Sequence, residues 1–149
     1  LILSGGKTTY LAQQFLKSLQ GNPVATFTET WVTLFTTPPT SDTLSGIAAA
    51  VEWSPDVARI RVNAPGASEP HWISTPEQTD EGAQLYVQGP IQWADIAGLS
   101  ETVTVKAVGI FSASSGGQLL YWQNLSKDRS VSNGDTMLFP TGSLKVTEK

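Results

Sequence analysis

Cysteine is absent from all 149 residues, which excludes disulfides, thiol catalysis and thiolate metal sites together. Histidine occurs once, too few for a multi-histidine metal site. Charge is scarce: 15% of the residues carry it, against about 25% in an average soluble domain. A surface this poor in charge suits a protein that neighbours cover. The formal charge of −4 argues against a nucleic-acid binder, which needs a basic surface to displace counterions from phosphates. No apolar run approaches the ~20 residues of a membrane-spanning helix. Leu1-Ile2-Leu3 is too short for a signal peptide, and the missing initial methionine reads as loss of an initiator or a short leader.

What remains is rich in threonine, serine, glycine and tryptophan. A chain of this length makes one domain, able to bury roughly 70% of its unfolded surface without staples. Only residues 7–20 carry a convincing helical pattern. Tyr10, Leu11, Phe15, Leu16 and Leu19 recur at three- and four-residue spacing, which sets one apolar face. Ser4, Thr8 and Thr9 are candidate N-caps, and Gly21 with Pro23 marks the stop. Four turns are marginal alone in water, so this helix needs a surface to lie on. The expected organisation is an arm and helix over 1–22, followed by a β-sandwich domain over 23–149.

β structure dominates that second part. Thr30 to Thr36 is a strand by its β-branched and aromatic content, and Pro38-Pro39 stops it. Residues 47–53 are ambiguous, and residues 57–62 alternate as a strand. Residues 64–83 lose all periodicity and gather Glu69, Glu77, Asp80 and Glu81. So long a loop is expected to be a functional excursion or contact arm. Strand character returns in 84–88 and 91–93.

The last third, 101–149, has four apolar runs divided by turn clusters, which predicts an antiparallel meander. Along 102–111 one face stays apolar while the other begins polar and turns apolar. That strand should therefore be covered on both sides at its far end. Ser115-Gly116-Gly117 and Asn133-Gly134 supply the positive φ angles that tight reversals need.

Chemistry is hard to find. Gly6-Lys7-Thr8 looks like the end of a phosphate-binding loop, but the required earlier glycine is replaced by Leu1 and no strand precedes it. A flexible arm is the better reading. His71 could recruit Glu77 or Asp80, yet no Gly-x-Ser-x-Gly elbow occurs and the carboxylates lack calcium-loop spacing. No catalytic, cofactor-binding or metal-ligating residue emerges. Trp31, Trp93 and Trp122 sit within strand-like runs and should be mostly buried, whereas Trp72 in the acidic loop is the best exposed anchor. An exposed aromatic of that kind could stack on a host-surface glycan. Asn124-Leu125-Ser126 matches a glycosylation acceptor by pattern alone.

Val105 through Phe111, with Ser115-Gly116-Gly117-Gln118-Leu119-Leu120-Tyr121, resembles the "vGIFdaasGGnLLyy" segment of small tailed-bacteriophage virion proteins, often labelled tail fibre proteins. Residues 129–131 and Asn133 to Val146 resemble the "n-GD-t-l-F-p-aG-l-v" block that follows in that family. Val32 to Thr40 resembles its early strand. The family's Gly-Gly-x-Tyr-Ala-Arg element is represented only by Ser45-Gly46 and Ala58-Arg59, and segment 64–83 is particular to this chain.

The resemblance implies a jelly-roll-like antiparallel β-sandwich in the virion, acting without turnover or cofactor. Its expected partners are other virion proteins, tail or major capsid, and further copies in a symmetric assembly, a trimer first. A tail-fibre or tail-appendage subunit is the leading reading, with a capsid cement or decoration protein and a glycan-binding adhesion module as alternatives. The residues expected to make subunit contacts are Tyr10, Phe15, Leu16, Leu19, Trp72 and Ile73.

Overall fold

A computed structural model describes residues 2–3, 7–27, 29–53, 57–80 and 82–148. Along the chain lie β1 (Ile2–Leu3), α1 (Thr9–Leu19), β2 (Thr30–Thr37), α2 (Leu44–Ala48), β3 (Val51–Glu52), β4 (Ile60–Val62) and β5 (His71–Trp72). They are followed by β6 (Glu77–Thr79), β7 (Gly82–Gln88), β8 (Ile91–Trp93), β9 (Val103–Phe111), β10 (Leu119–Val131), β11 (Met137–Phe139) and β12 (Lys145–Glu148). The fold is mainly β, with antiparallel sheets and an N-terminal helix, as the sequence led one to expect.

β9 is the centre of the main sheet. It pairs antiparallel with β2 on one edge and β10 on the other, while β3 and β4 share the far edge of β2. Four consecutive residues, Ala107 to Ile110, are buried, so this end of the strand is covered on both faces. On one face Val108 and Ile110 join Val32, Leu34, Val87 and Val146 in the principal core. On the other, Ala107 joins Phe35 and Leu119 in a smaller cluster, over which Ile47, Ala50, Phe111 and Trp122 pack. Glycine at 109 makes this possible. A Cβ there would lie 2.6 Å from Phe35 Cε2 and 2.9 Å from Leu119 Cδ1.

The second sheet is built on β7. β12 runs along one of its edges, β5 and β6 along the other, and β1 adds in parallel beyond β12. The β8–β11 pair contributes Ile91, Trp93, Met137 and Phe139 to the same principal core.

Several sequence expectations need correction. Residues 64–83 are not one loose excursion. β5 and β6 both bond to β7, but strands of two and three residues are too short for a period-two pattern to register. The meander is also incomplete. β9 and β10 form a hairpin across Gly116 and Gly117, both at positive φ, but β11 pairs with β8 rather than with β10. Gly134 does adopt φ +88°. Its turn is held by the 96–99 segment instead: Gly134 N donates to Ile96 O, Ile96 N to Asp135 O, and Leu99 N to Asn133 Oδ1. These bonds steer the chain out of the main sheet.

Residues 47–53 resolve into the end of α2 and β3, with Thr43 Oγ1 capping α2 by accepting from Gly46 N at 3.3 Å. Of residues 57–62 only 60–62 form a strand. Trp93 is buried as expected, whereas Trp31 and Trp122 are only half-buried. β10 ends as an edge. Ala107 pairs with Asn124 but Val105 with Arg129, so the strand bulges over 125–128. That bulge and the charges of Lys127, Asp128 and Arg129 blunt the edge against stray strand pairing.

Replacing Gly109 with valine should cost about 1–3 kcal/mol through overpacking of Phe35 and Leu119. Urea unfolding would register it as a lower midpoint with an unchanged slope.

Candidate functional site

α1 begins at Thr8, the N-cap, which is fully buried. Its Oγ1 donates to Leu119 O at 2.6 Å and accepts from Leu11 N, and its amide donates to Leu120 O. The helix is thus pinned to the start of β10. Ser4, the alternative cap, lies outside the described residues. Leu11 enters the principal core, and buried Gln14 reaches across to accept from Ala25 N at 3.0 Å, which fixes the returning segment 22–27 beside the helix.

That docking uses only one flank of α1. Phe15, Leu16 and Leu19 stay 46%, 62% and 83% exposed, and Val24 alongside is 42% exposed. Next to them a groove of about 470 Å³ opens between the helix and the second sheet. Leu11, Phe15 and Val24 form one wall and Trp72, Pro76 and Leu85 the other, while Ile110, Leu120 and Val146 lie deeper. At the polar end Glu148 accepts from Lys7 Nζ at 2.9 Å and from the Tyr121 hydroxyl. Burial, reinforced by that bond and by the charge of Glu148, raises the pKa of Tyr121 well above the ordinary phenol value, so it donates throughout the neutral range. Lys7 also lies 5.0 Å from the Phe15 ring centre, within cation–π range.

The six residues expected at subunit contacts divide. Phe15, Leu16 and Leu19 form the exposed patch. Tyr10 is half-buried against the core. Ile73 is only 8% exposed and its amide donates to Tyr86 O, so it serves the chain's own fold. Trp72 is half-buried, with its Nε1 donating to Thr30 Oγ1 at 2.9 Å. It is a groove wall rather than a projecting anchor. His71 lies on β5, with Nδ1 3.0 Å from the carbonyl oxygen of Trp72, and none of the ion pairs found among the described residues joins it to a carboxylate.

A second polar constellation lies on the outer face of the main sheet. Arg59 Nε and Nη2 donate to the two oxygens of Glu52 at 2.6 and 2.8 Å. Arg59 Nη1 donates to Ala113 O and Gly116 O in the β9–β10 turn, and the guanidinium stacks 3.6 Å from the Phe111 ring centre. Thr33 Oγ1 also donates to Glu52. One cation therefore joins β3, the 58–59 segment and the hairpin turn. Burial pushes the Glu52 carboxyl up, but the bonds from Arg59 and Thr33 and the nearby positive charge outweigh it, leaving its pKa below the ordinary value. Sequence reasoning missed this pair, for which only the spacing of seven residues was on view.

The Arg59 arrangement braces the fold. Among the described residues no group of three or more His, Asp or Glu is placed to hold a metal ion, and no helix is long and apolar enough to cross a membrane.

The chain matches a known family. The model for Podophage GP4 fiber I protein gp80 covers residues 6–147. No curated protein matches the chain.

Removing the Arg59 side chain would leave the partly buried Glu52 carboxylate unpaired. Arg59→Ala should therefore destabilise the fold by about 3 kcal/mol, measured by chemical unfolding. Because the Glu52 pKa is depressed on folding, its contribution is fully present above the unfolded carboxylate pKa and fades as pH falls through the folded one. Unfolding curves for Glu52→Gln should accordingly show a shallower loss of stability on acidification than the parent chain.

Proposed function

The chain belongs to the podophage fibre family whose model it matches, a family of phage structural fibre proteins and so of virion components; from that premise we propose that it is a non-enzymatic subunit of the tail appendage type. In this reading it works by holding neighbours, and the surface that does so is the exposed flank of α1. The carrying observation is that Phe15, Leu16, Leu19 and Val24, all large and apolar, stand exposed together beside an apolar groove. Single exposed apolar residues are ordinary, but a contiguous patch that opens toward a core is a contact surface.

Each of these side chains, once covered by a neighbour, would contribute up to about 1.5–3 kcal/mol. The partners are other virion proteins and further copies of the chain, in a symmetric assembly for which a trimer is the favoured form. The fibre in the family's description favours the tail over capsid decoration. No cofactor is called for.

A phage in which Leu16 and Leu19 are both changed to serine should assemble particles depleted of this subunit. The purified variant should keep the parent's circular dichroism and unfolding midpoint, since both side chains are largely exposed. Immunoblots of purified particles would show the depletion. Normal incorporation of the folded variant would contradict the reading.

A further inference from the structure

A separate depression, of about 400 Å³, opens on the outer face of the main sheet. That volume lies within the range of about 300–1,000 Å³ that small-ligand sites occupy. Its walls are Trp31 of β2, Glu52 of β3, Arg59, and Ser114, Ser115 and Gly116 in the β9–β10 turn. It shares no lining residue with the groove beside α1.

The depression is polar, rigid and balanced in charge. The Arg59 side chain is only 7% exposed, and its Nη1 donates to Ala113 O and Gly116 O. Ser114 and Ser115 lie between those two carbonyls, so the guanidinium fixes the backbone that carries both hydroxyls. Arg61, cross-strand from Trp31, is matched by Glu29 at 2.7 Å. An added anion would meet Glu52 and an added cation Arg59, and each of these charges already has its counterpart.

Hydrogen-bonding capacity nevertheless remains. Of the five N–H groups of a guanidinium, Arg59 spends four, on Glu52 and on the two carbonyls. Glu52 Oε1 accepts from Thr33 and Arg59 Nε, whereas Oε2 accepts from Arg59 Nη2 alone. One N–H and one lone-pair position are therefore unspent. The hydroxyls of Ser114 and Ser115 are exposed, with no partner among the described residues. Trp72, Trp93 and Trp122 all commit their indole N–H within the fold. Half-buried Trp31 does not, since its Nε1 finds no partner.

We infer that this depression is a binding site for an uncharged saccharide. Donors and acceptors stand side by side without net charge, which suits a ligand whose hydroxyls both donate and accept. Trp31 adds a large apolar ring surface, on which the C–H face of a pyranose can lie through dispersion contacts. Sugar hydroxyls would then reach Glu52 Oε2, Arg59 Nη2 and the two serines. The exposed-aromatic role expected of Trp72 thus passes to Trp31, a residue of the main sheet.

The test is a titration of the purified ¹⁵N-labelled full chain with maltose, cellobiose, lactose and mannobiose, and with inorganic phosphate as the charged comparison. Each is taken to about 20 mM, enough to saturate a site of about 1 mM affinity. Indole N–H signals are followed by NMR, that of Trp31 being assigned by its loss in Trp31→Phe. At least one neutral disaccharide should shift the Trp31 signal saturably, and phosphate should not. Ser114→Ala with Ser115→Ala should weaken that binding about tenfold, through two lost hydrogen bonds. Circular dichroism should stay unchanged, because neither hydroxyl bonds within the fold. Competition by the bound sugar against adsorption of particles to host cells would identify the source as a surface glycan, and its failure a free sugar.

No shift of Trp31 with any of the four disaccharides overturns the inference. So does a shift produced by phosphate alone, or binding indifferent to the serine pair. The Leu16 and Leu19 serine variants leave every lining residue in place, so this site and the α1 contact surface stand or fall separately.

Discussion

A strand buried on both faces and bonded along both edges has no contact with water, so every peptide group in it must find a partner within the protein. β9 is under that constraint from Ala107 to Ile110, and β2 and β10 supply the partners. The apolar cover on its two faces comes from different parts of the chain. The second sheet and the β8–β11 pair cover one face, and Phe35, Leu119 and the α2 region cover the other. The absence of a side chain at Gly109 lets the second cover come close. The fold can thus hold together without disulfides.

The outer cover needs more than apolar contact, because it ends where the hairpin turn and the 58–59 segment meet solvent. Arg59 closes that end. Its planar guanidinium satisfies a carboxylate and two carbonyls at once while lying on the Phe111 ring, a combination a lysine could not provide. The inner side is left less complete. Thr8 and Leu11 pin α1 to β10 and the core, but the helix covers the opening only partly, and Phe15, Leu16 and Leu19 remain outside. A low-charge chain with such a flank is well suited to an assembly and poorly suited to a solitary life in water.

How much of this could be read from sequence follows from range. The α1 face was legible because its apolar residues repeat within one helix, and the two-sided burial of β9 because both of its faces turn apolar toward Phe111. β5 and β6 were not, since two or three residues hold no measurable period and their pairing with β7 depends on tertiary contacts. Asn133-Gly134 gave its turn but not its outcome, because Ile96 and Leu99, far back in the chain, decide where the next strand goes. The groove draws its walls from segments spread from Leu11 to Glu148. No local pattern announces such a site, and the placement of Ile73 inside the fold was hidden for the same reason.

The central claim is that the core is complete within one chain, while the α1 flank is completed by the virion. Hydrogen–deuterium exchange, comparing the dilute isolated chain with the chain in intact particles, tests both halves together. The account expects amides over 9–24 to gain protection in the particle, while those of β9 are already slow in the isolated chain. Fast exchange in isolated β9, or an unchanged 9–24 segment in the particle, would contradict it.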